Sequence, residues 1–259
     1  MRLTDAQVKR KLELERMLLR MDAPNRLCKF IPYMNPQYSQ QWFHRVIADN
    51  CQKLLEGKIK NLMVFVSPQH GKSEIISRSF PAYALGRNPD LKIVGTSYSA
   101  NLAEQFSLSI QRIIDSKEYQ AIFPNTYLNG SNVRTNVKGY LRNVDMFETV
   151  GHKGFYKAVG VGGSLTGTPV DIAIIDDPVK DAMEAYSPVY RERVWDWYTS
   201  VLLTRLHNES KQLFIMTRWH DDDLAGRILK REKPINGRCS QSRLYARLLM
   251  MGMILIRVR

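Results

Sequence analysis

Short apolar runs alternate with amphipathic segments along most of this chain. Four runs are rich in β-branched and aromatic residues and have the length of strands: 61–67, 91–97, 170–176 and 211–217. Continuous apolar runs of this kind are typical of strands buried on both faces of a parallel sheet. Helical patterns lie between them, at 73–85, 99–114 and 188–206. The alternation predicts an α/β fold with a mainly parallel, doubly wound sheet and helices on both faces.

Two segments depart from this alternation. The first 22 residues predict a helix, with Thr4 and Gln7 as a capping box and a stripe of apolar side chains along one side. That stripe consists of Val8, Leu12, Leu18 and Met21. Residues 128–168 read as short alternating pieces rich in Gly and Asn, which predict hairpins ahead of the third core strand.

Charge and composition narrow the function classes. The 259 residues carry a formal net charge of +13, which favours a polyanionic partner. Three cysteines without close spacing (Cys28, Cys51 and Cys239) predict neither a disulfide framework nor a zinc cluster and favour a reducing, cytosolic setting. The longest apolar run, 248–256, is far shorter than the roughly 20 residues needed to cross a bilayer, so no membrane association is predicted.

The first predicted strand ends in a candidate phosphate-binding loop. A phosphate loop needs backbone N–H groups at a helix N-terminus, a lysine that reaches the terminal phosphates and a hydroxyl for Mg²⁺. Gly71, Lys72 and Ser73 supply these groups, although Val66 stands where the usual pattern has its first glycine. The same three letters also occur at exposed helix starts, so the motif alone leaves both interpretations open.

The third predicted strand ends in two carboxylates, Asp176 and Asp177. Such a pair suits Mg²⁺ binding by the first carboxylate and polarisation of an attacking water by the second. A strand followed by a simple Asp-Asp-Pro turn is the alternative. Ligands of open α/β sheets bind beyond the carboxyl ends of the strands, where both motifs stand. Together they predict a nucleoside triphosphatase that uses Mg²⁺.

Four blocks of the sequence resemble a known family. They read "GKIKNLMVFVSPQHGKSE", "LGRNPDLKIVGTSYSANLAEQFS", "GVGGSLTGTPVDIAIIDDPVKDAMEAYSPVYRERVWDWYTSVLLTRL" and "QLFIMTRWHDDDLAGRIL". They resemble the ATPase half of the large terminase subunit of tailed phages, the motor that packages DNA into procapsids. The resemblance runs from about residue 38 to residue 231. It implies an additional-strand P-loop NTPase fold, preceded by N-terminal helices and followed by an RNase H-like nuclease.

The resemblance also implies roles for individual residues. Lys72, Asp177 and Thr217 would be catalytic. Thr217 would lie in the motif that couples hydrolysis to movement of the lobes. On sequence alone, a threonine after a strand is more simply a cap for the following turn. Ser73 and Asp176 would hold Mg²⁺. The nucleotide would be bound by a run of consecutive residues: Gln69, His70, Gly71, Lys72, Ser73 and Glu74. The region of Tyr38, Gln41 and His44 would lie where relatives hold the adenine, unless these residues only pack a helix.

Partners follow from the same resemblance. It implies double-stranded DNA, the terminase small subunit, the portal protein and a homo-oligomeric ring, in the cytoplasm of the host cell and outside the mature virion. Gln69 and Thr168 stand where relatives often have arginines that stabilise the transferring phosphoryl group. Arg205 or Arg218 are candidate substitutes, unless each is a solvated or DNA-facing charge.

The end of the chain leaves the family pattern. Residues 235–259 contain five arginines and no acid, and resemble neither the next strand of the family nor the nuclease. We therefore expect an N-terminal helical segment at 1–37, an ATPase domain at 38–234 and an aberrant basic tail at 235–259. The tail is explained by a shifted reading frame near residue 234 or by a basic DNA-binding segment. The predicted function is a DNA-packaging ATPase of a phage or prophage. The alternatives are an inactive remnant that keeps the fold, and a P-loop kinase of small molecules, which the charge disfavours.

Overall fold

The structure, a computed structural model, describes residues 4–67, 69–131, 139–231 and 253–258, the last of these for the backbone only. In these ranges one mixed sheet has the strand order β3-β4-β2-β5-β6-β1-β7. The strands are β1 (Asn61–Val66), β2 (Lys92–Ser97), β3 (Met146–Glu148), β4 (Phe155–Gly160), β5 (Val170–Asp176), β6 (Leu206–Met216) and β7 (Met253–Val258).

Helices surround the sheet. The α-helices are α1 (Asp5–Asp22), α2 (Leu27–Met34), α3 (Trp42–Leu55), α4 (Phe80–Arg87), α5 (Ala100–Asp115), α6 (Lys117–Gln120), α7 (Ala182–Tyr186), α8 (Pro188–Trp197) and α9 (Leu224–Arg231). Two π-helical segments, Glu74–Ser79 and Tyr198–Leu202, and one 3-10 turn, Leu203–Arg205, join them.

The strand register brings three strand ends together. β1, β6, β5, β2 and β4 are neighbours in that order and every adjacent pair is parallel. Asp176 at the end of β5 pairs with Ser97 of β2 on one side and with Ile215 of β6 on the other. Because all five strands run the same way, the loops after β1, β5 and β6 leave from one edge, called here the carboxyl edge.

Alternate residues of β1 point into two different cores. Leu62 and Val64 pack in a cluster with α2, α3, α4 and α5. Met63 and Phe65 pack on the other face, in a cluster with α7, α8 and α9. A strand buried on both faces has no polar side, which explains the continuous apolar runs. The predicted α/β fold, with a mainly parallel sheet and helices on both faces, is confirmed.

The predicted strands are present, but two predicted helices were wrong in their interior. The helix at 73–85 has a π-helical segment over Glu74–Ser79 before α4. The helix at 188–206 is α-helical only to Trp197; the Ser187 side chain caps it and Pro188 is its first residue. Side-chain hydroxyls explain the second break, because those of Thr199 and Ser200 donate to backbone carbonyls four residues earlier and compete with the helical ladder.

The prediction of hairpins at 128–168 is correct for one strand pair and misses another pairing. β3 does pair antiparallel with β4. However, β4 also pairs in parallel with β2, from Lys92 with Phe155 to Ser97 with Gly160, so it extends the main sheet by one strand. Residues 132–138 of this region lie outside the described part of the chain.

The N-terminal helix is confirmed together with its capping box of Thr4 and Gln7. Its apolar stripe does not face a core, since Val8, Leu12, Leu18 and Met21 are all exposed. Leu27 and Phe30 of α2 share a cluster with β1, so the N-terminal helical segment packs against the sheet, and its boundary at residue 37 stays a prediction. Most of the predicted tail lies outside the described residues. Its last segment, β7, pairs antiparallel with β1 at the edge of the sheet.

Two further observations concern cysteines and membranes. Cys28 and Cys51 are buried free thiols, and Cys239 lies outside the described residues. None of the helices in the described ranges combines the length and apolarity needed to cross a membrane.

Candidate functional site

The loop after β1 turns sharply at the carboxyl edge. Gln69 and Gly71 both have positive φ angles, 63° and 70°. A Cβ atom built at Gly71 would lie 3.0 Å from the Tyr38 hydroxyl and 3.2 Å from His44 Nε2. Glycine is therefore required at position 71 by its φ and by the close approach of two side chains. The turn forms although Val66 replaces the usual first glycine.

Tyr38 and His44 bracket this loop from the side of α3. His44 is buried, and its Nδ1 accepts a hydrogen bond of 3.0 Å from the backbone N–H of Gln41. Its Nε2 is consequently protonated and donates to the backbone carbonyl of His70, at 2.9 Å. The predicted adenine region thus abuts the phosphate loop and fixes its path. Whether it holds adenine stays a prediction.

Lys72 links the loop to the ends of the other two strands. Its Nζ is 2.5 Å from Asp177 Oδ2 and 3.0 Å from Thr217 Oγ1. The lysine is buried, whereas the Asp177 side chain is 29% exposed, so this ion pair lies at the bottom of an open site. The structure therefore brings together the three residues predicted to be catalytic, although they lie up to 145 positions apart in sequence.

Asp177 is held by its backbone as well as by its side chain. Its φ is 42°, a left-handed conformation that is uncommon for residues other than glycine. Its N–H donates to the carbonyl of Ile215 and its carbonyl accepts from the N–H of Tyr98. Its Oδ1 accepts a 2.8 Å hydrogen bond from the N–H of Thr217. Backbone strain of this type costs of order 1–3 kcal/mol and clusters at active sites.

Asp176 is buried beside the first turns of the helix that follows the phosphate loop. Both Ser77 and Ser73 donate hydrogen bonds to its carboxylate. Ser73 directly precedes the π-helical segment and Ser77 lies within it, and residues four positions apart lie on the same side of a helix.

Burial, and after it the neighbouring Asp177 charge, raise the pKa of Asp176 to about 6. The Ser77 hydroxyl, Lys72 and the Ser73 hydroxyl act in the opposite direction. The folded protein therefore binds this proton more tightly than the unfolded chain does.

This pKa gives the free energy of unfolding a defined pH dependence. Up to about 3 kcal/mol of stabilisation is present below pH 4 and is lost as the pH rises through about 6. We expect Asp176→Asn to remove this loss, so that the variant gains stability relative to wild type between pH 5 and pH 8. Urea unfolding at both pH values would measure the gain. Asp145→Asn, at an exposed position, is the control, and an equal gain in both variants would contradict the assignment.

The remaining predicted nucleotide ligands lie at the rim of the site. The Glu74 carboxylate forms an ion pair with Arg78 at 3.0 Å. Burial raises the pKa of Tyr38, and the negative charge of Glu74 raises it further. Gln69 and the His70 side chain are exposed. The geometry thus places Lys72 and Ser73 at the centre of the cluster, and leaves the roles of Gln69, His70 and Glu74 as predictions.

Of the two candidate substitute arginines, Arg205 lies away from the site, as does Thr168. Arg205 precedes β6, at the end of the strand opposite to Thr217, roughly 30 Å away along the strand. Thr168 precedes β5, roughly 20 Å from Asp176, and accepts a hydrogen bond from Lys157 Nζ. Arg205 therefore cannot reach Lys72 within the same chain.

Arg218 is close to the site but is already paired. Its Nε donates to Asp223 Oδ2 at 2.6 Å. Asp223 is buried and its other oxygen accepts from the N–H of Gly226, so this acid caps the N-terminus of α9. Arg218 thus fastens the loop after β6 to α9.

Ser77 is the site residue that sequence reasoning missed. It lies in a helix interior, where a serine carries no motif. Its one signal was its spacing of four from Ser73, which puts both hydroxyls on the same side of a helix.

Comparison with known proteins agrees with this geometry. The family described as "terminase large subunit, T4likevirus-type, N-terminal" matches residues 63–245, a range that includes the phosphate loop, the paired acids and Thr217. The chain belongs to this terminase family. The match extends to residue 245, past residue 231, where the resemblance noted in the sequence ends.

Two solved structures are similar to this terminase chain. The crystal structure of the HK97 bacteriophage large terminase has a TM-score of 0.53 at 13% identity, over 86% of this chain and 46% of that one. A mutant of the Thermus phage P74-26 large terminase ATPase domain has a TM-score of 0.40 at 16% identity, over 69% of this chain and 65% of that one. The chain thus spans less than half of the HK97 protein, with which it shares the fold. None of the curated proteins matches the sequence.

Proposed function

We propose that this chain is the ATPase motor of a phage or prophage terminase, which uses Mg²⁺ and ATP to move double-stranded DNA into procapsids. The observation that carries the proposal is the meeting of Lys72, Asp177 and Thr217 at the carboxyl edge, with hydrogen bonds of 2.5 and 3.0 Å from the lysine. Membership of the terminase large-subunit family supports it.

The residues present fit a magnesium nucleotide. The Ser73 hydroxyl and the Asp176 carboxylate are hard oxygen ligands, and Mg²⁺ takes only one or two such groups from the protein. Gly71 has no side chain and has a φ of 70°, which lets the loop backbone approach phosphate oxygens closely. Bound Mg²⁺ would neutralise charge on the phosphate oxygens.

The chain's own residues would divide the remaining work. Asp177 would orient the attacking water and accept its proton while the bond from phosphorus to the ADP oxygen breaks and a bond to the water oxygen forms. Lys72 would exchange its contact with Asp177 for the phosphates, which frees the carboxylate to act as a base. Thr217 contacts both residues, so it would register that exchange at the end of β6.

Double-stranded DNA is the proposed polymer, because the net charge of +13 favours a polyanion. The terminase small subunit, a portal protein and further copies of the chain in a ring are the proposed partners, in the cytoplasm of the host cell.

The test is ATP hydrolysis by the purified chain with and without long double-stranded DNA. A motor is expected to hydrolyse ATP faster with DNA, and the stimulation should fall steeply as salt rises. An ATP hydrolysis rate that is the same with and without DNA at every salt concentration would contradict the translocase proposal.

Ser77 gives a sharper prediction within this function. Ser77→Ala removes a donor to the proposed metal ligand Asp176, and outer-shell partners of this kind typically contribute 10- to 100-fold in metal affinity. We expect the Mg²⁺ concentration for half-maximal hydrolysis to rise about tenfold. Ser79→Ala is the matched control, since Ser79 is buried in the same π-helical segment and makes no hydrogen bond to Asp176 in the described structure. Equal shifts in both variants would rule out this role.

A second candidate function is nucleotide binding without turnover, in an inactive remnant. It is favoured by Gln69 and Thr168, which replace charges that such enzymes use, and by the engagement of Arg218 with Asp223. Tight ATP binding with no hydrolysis at any DNA concentration would select it.

A further inference from the structure

The N-terminal helices enclose a polar cleft that shares no residue with the phosphate loop. It has a volume of about 520 Å³ and lies between the end of α1, the length of α2 and the first half of α3. Clefts of roughly 300–1,000 Å³ are the size that holds small organic ligands. The face of α3 that lines the cleft carries Arg45 and Asp49, about 100–140° around the helix from His44.

The cleft has an excess of positive charge. Arg26, Lys29 and Arg45 line it, and none of the three makes a side-chain ion pair or hydrogen bond with any other residue that the structure describes. Arginines near the candidate active site are paired in contrast, as Arg218 is with Asp223. Asp49 is the acid among the lining residues, so three cations and one carboxylate leave a net charge of +2.

The cleft also has a surplus of hydrogen-bond donors. The side-chain Nε2 of Gln40 is buried and has no hydrogen-bond partner among the described residues. Asp49 is already engaged, because the Cys28 thiol donates to it. Two guanidinium groups, an ammonium and an amide are donors that match phosphate oxygens, and the guanidinium fork does so in a bidentate way.

We propose that this cleft binds a small phosphate ester in its dianionic form. The net charge of the lining matches a dianion, and the volume leaves room for an organic group against Leu19 and Pro32, which also line it. The ligand would be held apart from the nucleotide at the carboxyl edge. The inference does not depend on ATP hydrolysis.

The probe is phenyl phosphate, titrated into the full chain at pH 8 by calorimetry. We expect saturable binding that weakens at least tenfold in each of Arg26→Gln, Lys29→Gln and Arg45→Gln. Binding should persist in Lys72→Ala, and in Arg112→Gln, the matched control at an exposed and unpaired arginine of α5 in the described structure. It should also weaken at pH 5, where phosphate esters lose their second charge, whose pKa is about 6.

A measurement on the wild-type chain guards against misfolded variants. Cys28 lines the cleft, whereas Cys51 is fully buried elsewhere in the core. Phenyl phosphate should slow alkylation of Cys28 several-fold and leave Cys51 unchanged, as read by peptide mass spectrometry. Four results would overturn the proposal: no saturable binding, loss in Lys72→Ala alone, equal weakening in Arg112→Gln, or a preference of the three cations for duplex DNA.

Discussion

Lys72→Ala is expected to abolish ATP hydrolysis, with a fall in kcat of about 10²- to 10³-fold or more. The lysine contacts both Asp177 and Thr217, so its loss removes the proposed phosphate contact and leaves the carboxylate without its cation. Nucleotide affinity should fall as well. Steady-state hydrolysis and fluorescent-nucleotide titration would measure the two effects separately.

Lys211→Ala is the control for this loss. Lys211 is also partly buried, and its Nζ donates to the Leu55 carbonyl, but it lies on β6 toward the opposite edge of the sheet. Its replacement should leave kcat within a few-fold of wild type. Equal activity in Lys72→Ala and wild type would show that the loop is only a helix start.

Asp177→Asn is expected to lower kcat by about 10²- to 10⁴-fold while nucleotide binding persists. Asparagine keeps an acceptor for the N–H of Thr217 and tolerates the left-handed φ of 42°, so the loop should keep its shape. The charge that would accept a proton from water is lost. Single-turnover hydrolysis with a parallel binding measurement separates chemistry from affinity.

Asp171→Asn is the matched control for that substitution. Asp171 lies on β5, the strand that Asp177 follows, and its side chain is 29% exposed, the same fraction as Asp177, but it pairs with His207 near the amino end of β5. We expect no loss of kcat there. If Asp177→Asn hydrolysed ATP at the wild-type rate, another group would have to activate the water.

The functional residues near strand ends could be predicted from the sequence, whereas the residues and strands that pack around them could not. The phosphate loop and the paired acids follow apolar runs, and parallel strands bring their ends to one edge, so Lys72 and Asp177 could be placed together in advance. Strands that are buried on both faces are continuously apolar, which made them easy to recognise in the sequence. The position of β4 was missed, because its short run between glycines gave no sign of whether its partner was β3 or β2.

Helix interiors set the other limit on prediction. A π-helical segment has no periodicity signal that separates it from an α-helix, so Glu74–Ser79 could not be foreseen, and the contact of Ser77 with Asp176 was indicated only by the spacing of four from Ser73. The exposed stripe of α1 shows the converse problem, since an amphipathic pattern predicts a helix but does not say what its apolar side contacts.

The bonds around Asp177 tie the chemistry to the sheet itself. Its peptide groups are fastened to Tyr98 beyond β2 and to Ile215 of β6, and its side chain is fastened to Thr217. The carboxylate therefore cannot swing independently like a side chain on a loose loop. Any force that shears the ends of β2 and β6 apart has to stretch these three bonds, and any change in the load on the carboxylate is transmitted to both strands. Asp177 thus couples the ends of β2 and β6 mechanically, so that a displacement of one strand end is transmitted to the other.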